Sequence, residues 1–114
     1  MSLETSCPVD LEDGLARAGD DREFYKELLE IFLEDTASRL VDLRASLTAG
    51  DCKKVASDAH GIKGAAANLS AIFVRDIALA IEQQGREEDL SNMEELIGRL
   101  EGEVGRLADF ARGF

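Results

Sequence analysis

The sequence predicts an all-α fold, an up-down antiparallel four-helix bundle with a short additional N-terminal helix, and three observations carry that prediction. Apolar residues recur at three- and four-residue steps in four separate stretches, which is the helical period. A single proline interrupts the 114 residues, and the chain is 45% hydrophobic, lacks tryptophan and is rich in Leu, Ala, Glu and Arg, the usage of a compact helical protein. Connections of a few residues join the stretches, and connections that short force neighbouring helices to run antiparallel.

Taken in order, Asp10 is the expected N-cap of a short helix through about Arg17, with Leu11 and Leu15 on one side and Gly19 ending it. Asp20-Asp21 then opens a long helix from about Arg22 to Ala49. Its inner row is read as Phe24, Leu28, Ile31, Phe32, Leu40, Leu43 and Leu47, with Tyr25, Leu29 and Leu33 forming a second apolar face for the short helix to cover. Asp35-Thr36 breaks the rhythm, so a bend there is allowed, although no proline or glycine forces one.

Gly50-Asp51 reads as a stop and a new N-cap. The third helix, from about Cys52 to Leu69, carries Val55, Ala59, Ile62, Ala66 and Leu69 as one narrow seam. Ser70 is read as the cap of a fourth helix with Val74, Ile77 and Ile81 as its inner row and Gly85 as its stop. Ser91-Asn92-Met93-Glu94 resembles a capping box, and the fifth helix steps through Met93, Leu96, Leu100, Val104, Leu107 and Ala111.

A chain of this length fits one domain, expected over 9–114 behind an N-terminal tail at 1–8. Its 24 acidic and 13 basic side chains leave a net charge of −11, which repels polyanions and excludes nucleic acid as a partner. Most of the acidic residues are interleaved with apolar ones and read as solvated faces. Cys7 and Cys52 belong to no paired-cysteine metal motif and no secretory leader is read, so a reduced, cytoplasmic setting is expected. No apolar run approaches the ~20 residues of a membrane span, so no direct membrane contact is expected.

The stretch from Ala59 to Leu69 holds the chain's only histidine and two glycines inside a predicted helix, where each glycine costs about 1 kcal/mol relative to alanine. At about 100° per residue, His60 lies roughly 140° from the middle of the apolar seam and faces outward. Position alone describes an ordinary surface histidine, but the neighbours add to it. Gly64 one turn on, Ala56 one turn before and Ala67 two turns on leave a clearing around the ring. Lys63 brings an ammonium near whatever is attached to the imidazole, which favours a dianionic phosphoryl group. A neutral imidazole has one nucleophilic nitrogen, and the other should be held by an acceptor from a neighbouring helix. Glu82, next to Ile81, is a candidate, a solvated surface glutamate is an equally fair reading, and Gln83 and Gln84 are weaker alternatives. Gly61 is left without a role.

His60-Gly61-Ile62-Lys63-Gly64, followed by Ala65-Ala66-Ala67-Asn68-Leu69-Ser70-Ala71, closely resembles the signature of histidine-containing phosphotransfer (HPt) domains of two-component phosphorelays. Phe24 to Phe32 and Leu79 to Gly85 resemble that family's second and fourth helices, so the likeness extends from Val9 onward. The resemblance implies a monomeric bundle that accepts a phosphoryl group on His60 from a receiver-domain aspartate and passes it to another, reversibly. It implies Lys63 as the phosphoryl-supporting lysine, Gly64 as the clearance glycine and Glu82 as the residue that holds the histidine. Many members have glycine where this chain has Ser70, and serine at an N-cap is expected to serve as well there.

The expected partners are response-regulator receiver domains and a hybrid histidine kinase, with Mg²⁺ supplied by the receiver and no cofactor or metal of the chain's own. No glycine-rich phosphate loop is present, so kinase activity from ATP is not expected. Docking is expected on the face around His60, extending onto the fourth and N-terminal helices, where Ala56, Ala67 and Ala71 let a partner backbone come close. Two rival readings are an adaptor bundle without phosphotransfer and the two-chain phosphoacceptor bundle of a sensor kinase. Gly61 in place of an acidic residue after the histidine argues against the second.

Overall fold

The computed structural model describes residues 7–114, so positions 1–6 of the expected tail lie outside the described residues. Five helices follow one another: α1 Leu11–Arg17, α2 Arg22–Thr48, α3 Cys52–Asn68, α4 Ile72–Arg86 and α5 Met93–Gly113. The first three start on side-chain caps. Asp10 accepts from the Asp13 N–H, Asp21 from the Phe24 N–H and Asp51 from the Lys54 N–H, each satisfying a donor that the first turn leaves unpaired. Gly19 and Gly50 follow α1 and α2 in the left-handed region, at φ 73° and 68°, where a Cβ is costly.

α2 packs against α3 and α5, α4 packs against the same two helices, and α1 lies against α2. One chain therefore closes a four-helix ring around a core of fully buried residues that includes Tyr25, Leu29, Leu43, Ile62, Ile81, Ile97, Leu100 and Leu107. The α3 seam is buried at all five predicted positions, and so are the six predicted positions on α5. Arg44 on α2 ties α5 from outside through both carboxylate oxygens of Glu101, at 3.0 and 2.7 Å.

Local expectations are refined at several points. In the first half of α2 the buried face takes residues from both expected rows: Tyr25 and Leu29 of the second face are fully buried and Phe32 of the inner row stays buried, whereas Phe24 and Ile31 are 46% and 62% exposed. The Tyr25 hydroxyl donates to the Leu69 carbonyl at 2.6 Å, and α1 closes over its ring where Gly14 leaves no room for a Cβ. The helix is continuous through Asp35-Thr36, with Thr36 buried. Ser70 is not the cap of α4. Ala71 holds that position without a side-chain bond, while Ser70 is buried at φ 58° and its hydroxyl donates to Asp13 of α1. Gly85 does not end α4, which continues to Arg86 before the chain turns at Glu88, φ 57°. Finally, Asn92 precedes α5 without a side-chain cap, its Oδ1 accepting instead from Gln84 Nε2 at 2.7 Å, while the Ser91 hydroxyl turns back to donate to Asp89 at 2.6 Å.

Candidate functional site

Gly85 sets how close α3 and α4 come. A Cβ there would sit 3.0 Å from the Ala56 nitrogen and 3.1 Å from both the Ala56 Cβ and the Cys52 carbonyl oxygen, so the glycine permits backbone contact between the helices. One turn earlier on α4, Glu82 is thereby brought under the outer face of α3. Its side chain is 4% exposed, against 61% for His60 above it, and its Oε2 lies 2.9 Å from His60 Nδ1.

Two cations share that carboxylate. Lys63 Nζ is 2.8 Å from Oε1, an ion pair rather than an aligned hydrogen bond. Arg86 Nη2 donates to Oε2 at 2.5 Å. Burial pushes the Glu82 carboxyl up, but Lys63, His60 and Arg86 together outweigh it and hold the pKa at about 2. The carboxylate is therefore ionised near neutrality and can only accept hydrogen bonds. That assigns the proton of a neutral His60 ring to Nδ1 and leaves the lone pair on Nε2, the nitrogen away from Glu82.

Outside the ring the surface is open. Nothing lies within 4 Å of where a Gly64 Cβ would be, and Ser57, Gly64 and Asn68 form the exposed line beside His60. A groove of about 770 Å³ runs from His60 past Ser57 and Lys53 to Arg86 and Glu88. Of the three alanines expected to receive a partner, only Ala67 keeps partial exposure. Ala71 is fully buried at the α3–α4 junction, and Ala56 is 7% exposed because Gly85 covers it. Gln83 is exposed, and Gln84 instead donates to Asn92 Oδ1 at 2.7 Å.

Two residues escaped the sequence reading. Arg86 lies just past the expected stop at Gly85, although its position four after Glu82 is, on a continuing helix, the spacing of a side-chain ion pair. Arg39 lies across Gly61: a Cβ on that glycine would run into its guanidinium. Among the described residues no group of three or more His, Cys, Asp or Glu is placed to hold a metal ion, and no helix is long and apolar enough to cross a membrane.

A one-chain helical bundle that displays a single histidine over a buried, ionised carboxylate defines the class of histidine phosphotransfer domains. The chain belongs to the Hpt domain family, whose model matches residues 27–110. It is 32% identical over 66 residues to multistep phosphorelay regulator 1 of Schizosaccharomyces pombe (strain 972), a match covering 58% of this chain and 22% of that protein. The match thus spans about a fifth of that relative's length. The fold is similar to the crystal structure of histidine-containing phosphotransfer protein B from Pseudomonas aeruginosa PAO1, with a TM-score of 0.87 and 25% identity over 94% of this chain and 93% of that one. Proteins of this family are phosphotransfer carriers rather than kinases.

Proposed function

We propose that this chain is a phosphorelay intermediate that takes a phosphoryl group onto Nε2 of His60 from the aspartyl phosphate of one receiver domain and hands it to the aspartate of another. The observation that carries the reading is the 2.9 Å contact between Nδ1 and the ionised, buried Glu82. It fixes the tautomer and points the lone pair at solvent. As the Nε2–P bond forms, the P–O bond to the receiver aspartate breaks and its carboxylate leaves with the electron pair. The ring becomes cationic, still protonated at Nδ1, and the Glu82 carboxylate stabilises that charge. Transfer onward is the reverse displacement with a second aspartate.

Lys63, released from Oε1, is the group near enough to meet the phosphoryl oxygens, and Gly64 is the opening through which the receiver approaches. The Mg²⁺ that neutralises the phosphoryl oxygens is assigned to the receiver. The reading takes the chain to work as a monomer in the cytoplasm and not to draw phosphoryl from ATP, with a hybrid histidine kinase among its donors. A receiver domain carrying labelled phosphoryl should transfer it to the chain, and His60→Gln should abolish the label. Label retained by that variant would assign the chemistry to another residue.

A further inference from the structure

Gly61 is the motif residue that phosphoryl chemistry leaves unused, and what occupies its space is the Arg39 guanidinium of α2. The arginine is held in place by its own helix: Nε donates to Asp35 Oδ2 at 2.7 Å, an i, i+4 pair with the acid on the N-terminal side, the favourable orientation. Among the described residues Asp35 is its one ion-pair partner, so the two Nη groups are left for another acceptor. The side chain is 41% exposed.

At about 100° per residue, with His60 as zero, Gly64 and Ser57 lie roughly 40–60° round α3 and Gly61 roughly 100° round. The open line through Ser57 and Gly64 is therefore flanked by His60, tied to α4, and by Arg39, reaching over from α2. The cations on the α4 side, Lys63 and Arg86, are both committed to Glu82. On the other flank Lys54 is committed to Asp58 and Lys53 lies at the far end of the groove, so among the described residues Arg39 is the cation there that is fixed by its own helix and keeps both Nη groups unengaged, on a protein whose net charge is −11.

We propose that Arg39 recognises an acidic side chain of the docked receiver and so sets the register in which the aspartyl phosphate meets His60. Guanidinium matches carboxylate through two parallel N–H donors, and one fixed cation in an acidic surround specifies orientation more sharply than it adds affinity. Gly61 is glycine because a Cβ would displace that guanidinium. The proposal takes the receiver as partner from the function proposed above.

The test is steady-state transfer from phosphorylated receiver domains of the source organism. With Arg39→Ala, KM for the receiver rises about tenfold while kcat moves less than about twofold, and Arg39→Lys recovers part of the loss. Gly61→Ala raises KM in the same direction although it raises the melting temperature. Replacing the matching receiver acid by arginine restores transfer to Arg39→Glu. A KM unchanged in Arg39→Ala, or a fall in kcat alone, overturns the proposal. Wild-type protein that phosphoramidate labels on His60, but that no receiver labels, overturns the choice of partner and Arg39's role with it. Labelling by neither overturns the function assigned to His60.

Discussion

Glu82 is where burial and charge meet most directly. Its carboxyl is depressed from the ordinary 4.5 to about 2, so the folded state binds this proton less readily than the unfolded chain does. The stability it contributes is complete above about pH 4.5 and is lost as pH falls toward 2, at most about 3 kcal/mol by linkage. Urea denaturation of the wild type and Glu82→Gln should show a gap at pH 7 that shrinks to roughly a quarter of its size by about pH 2.5 and closes only below about pH 2; a gap constant with pH would mean that the carboxylate's charge is not what stabilises the fold. In the sequence, His60 and Glu82 were legible because one sits opposite an apolar seam and the other beside one. Glu82's burial was not legible, because it depends on how closely α3 and α4 approach at Gly85. Arg39 was also out of reach, since only the folded α2–α3 pairing lays it over Gly61.

At the scale of the helices, periodicity located all five and their ends within a residue or two, but it could not decide between two apolar faces on α2. Phe24 and Ile31 are as hydrophobic as Tyr25 and Leu29, and the choice is made by what Tyr25 touches, the Leu69 carbonyl and the ring of Phe114, 5.6 Å away between centroids. The α3–α4 junction shows the same limit. Serine read as a helix cap is in fact a residue at φ 58°, the conformation that explains glycine there in the resembling family. Left-handed backbone costs a non-glycine residue about 1–2 kcal/mol, and here the Ser70 hydroxyl's bond to Asp13 offsets part of that cost. Ser70→Ala keeps the strain and loses the bond, whereas Ser70→Gly loses both. Alanine should therefore destabilise the protein more than glycine, by about 1 kcal/mol in urea midpoints converted at constant slope. Equal losses would show that the junction carries no backbone strain.

The whole molecule decides whether the site needs a second copy of the chain. Phosphoacceptor bundles built from two chains share their core between protomers, and such a core leaves each chain with an open apolar face. Here the four long helices of one chain close on themselves, and Glu82 reaches His60 from the same chain. The large apolar side chains left most exposed on α2, Ile31 and Val41 at 62% and 68%, are ten residues apart, and Ile31 is surrounded by Glu27, Glu30 and Glu34. Two copies meeting there would bring like charges together, on top of the repulsion between net charges of −11. Sedimentation should accordingly give a mass near 12.4 kDa, and the thermal midpoint should not move with protein concentration, since only an associating fold gains stability by mass action. A midpoint that climbs with concentration at low salt, where repulsion is strongest, would demand an interface between copies and would revive the two-chain kinase bundle as the better description.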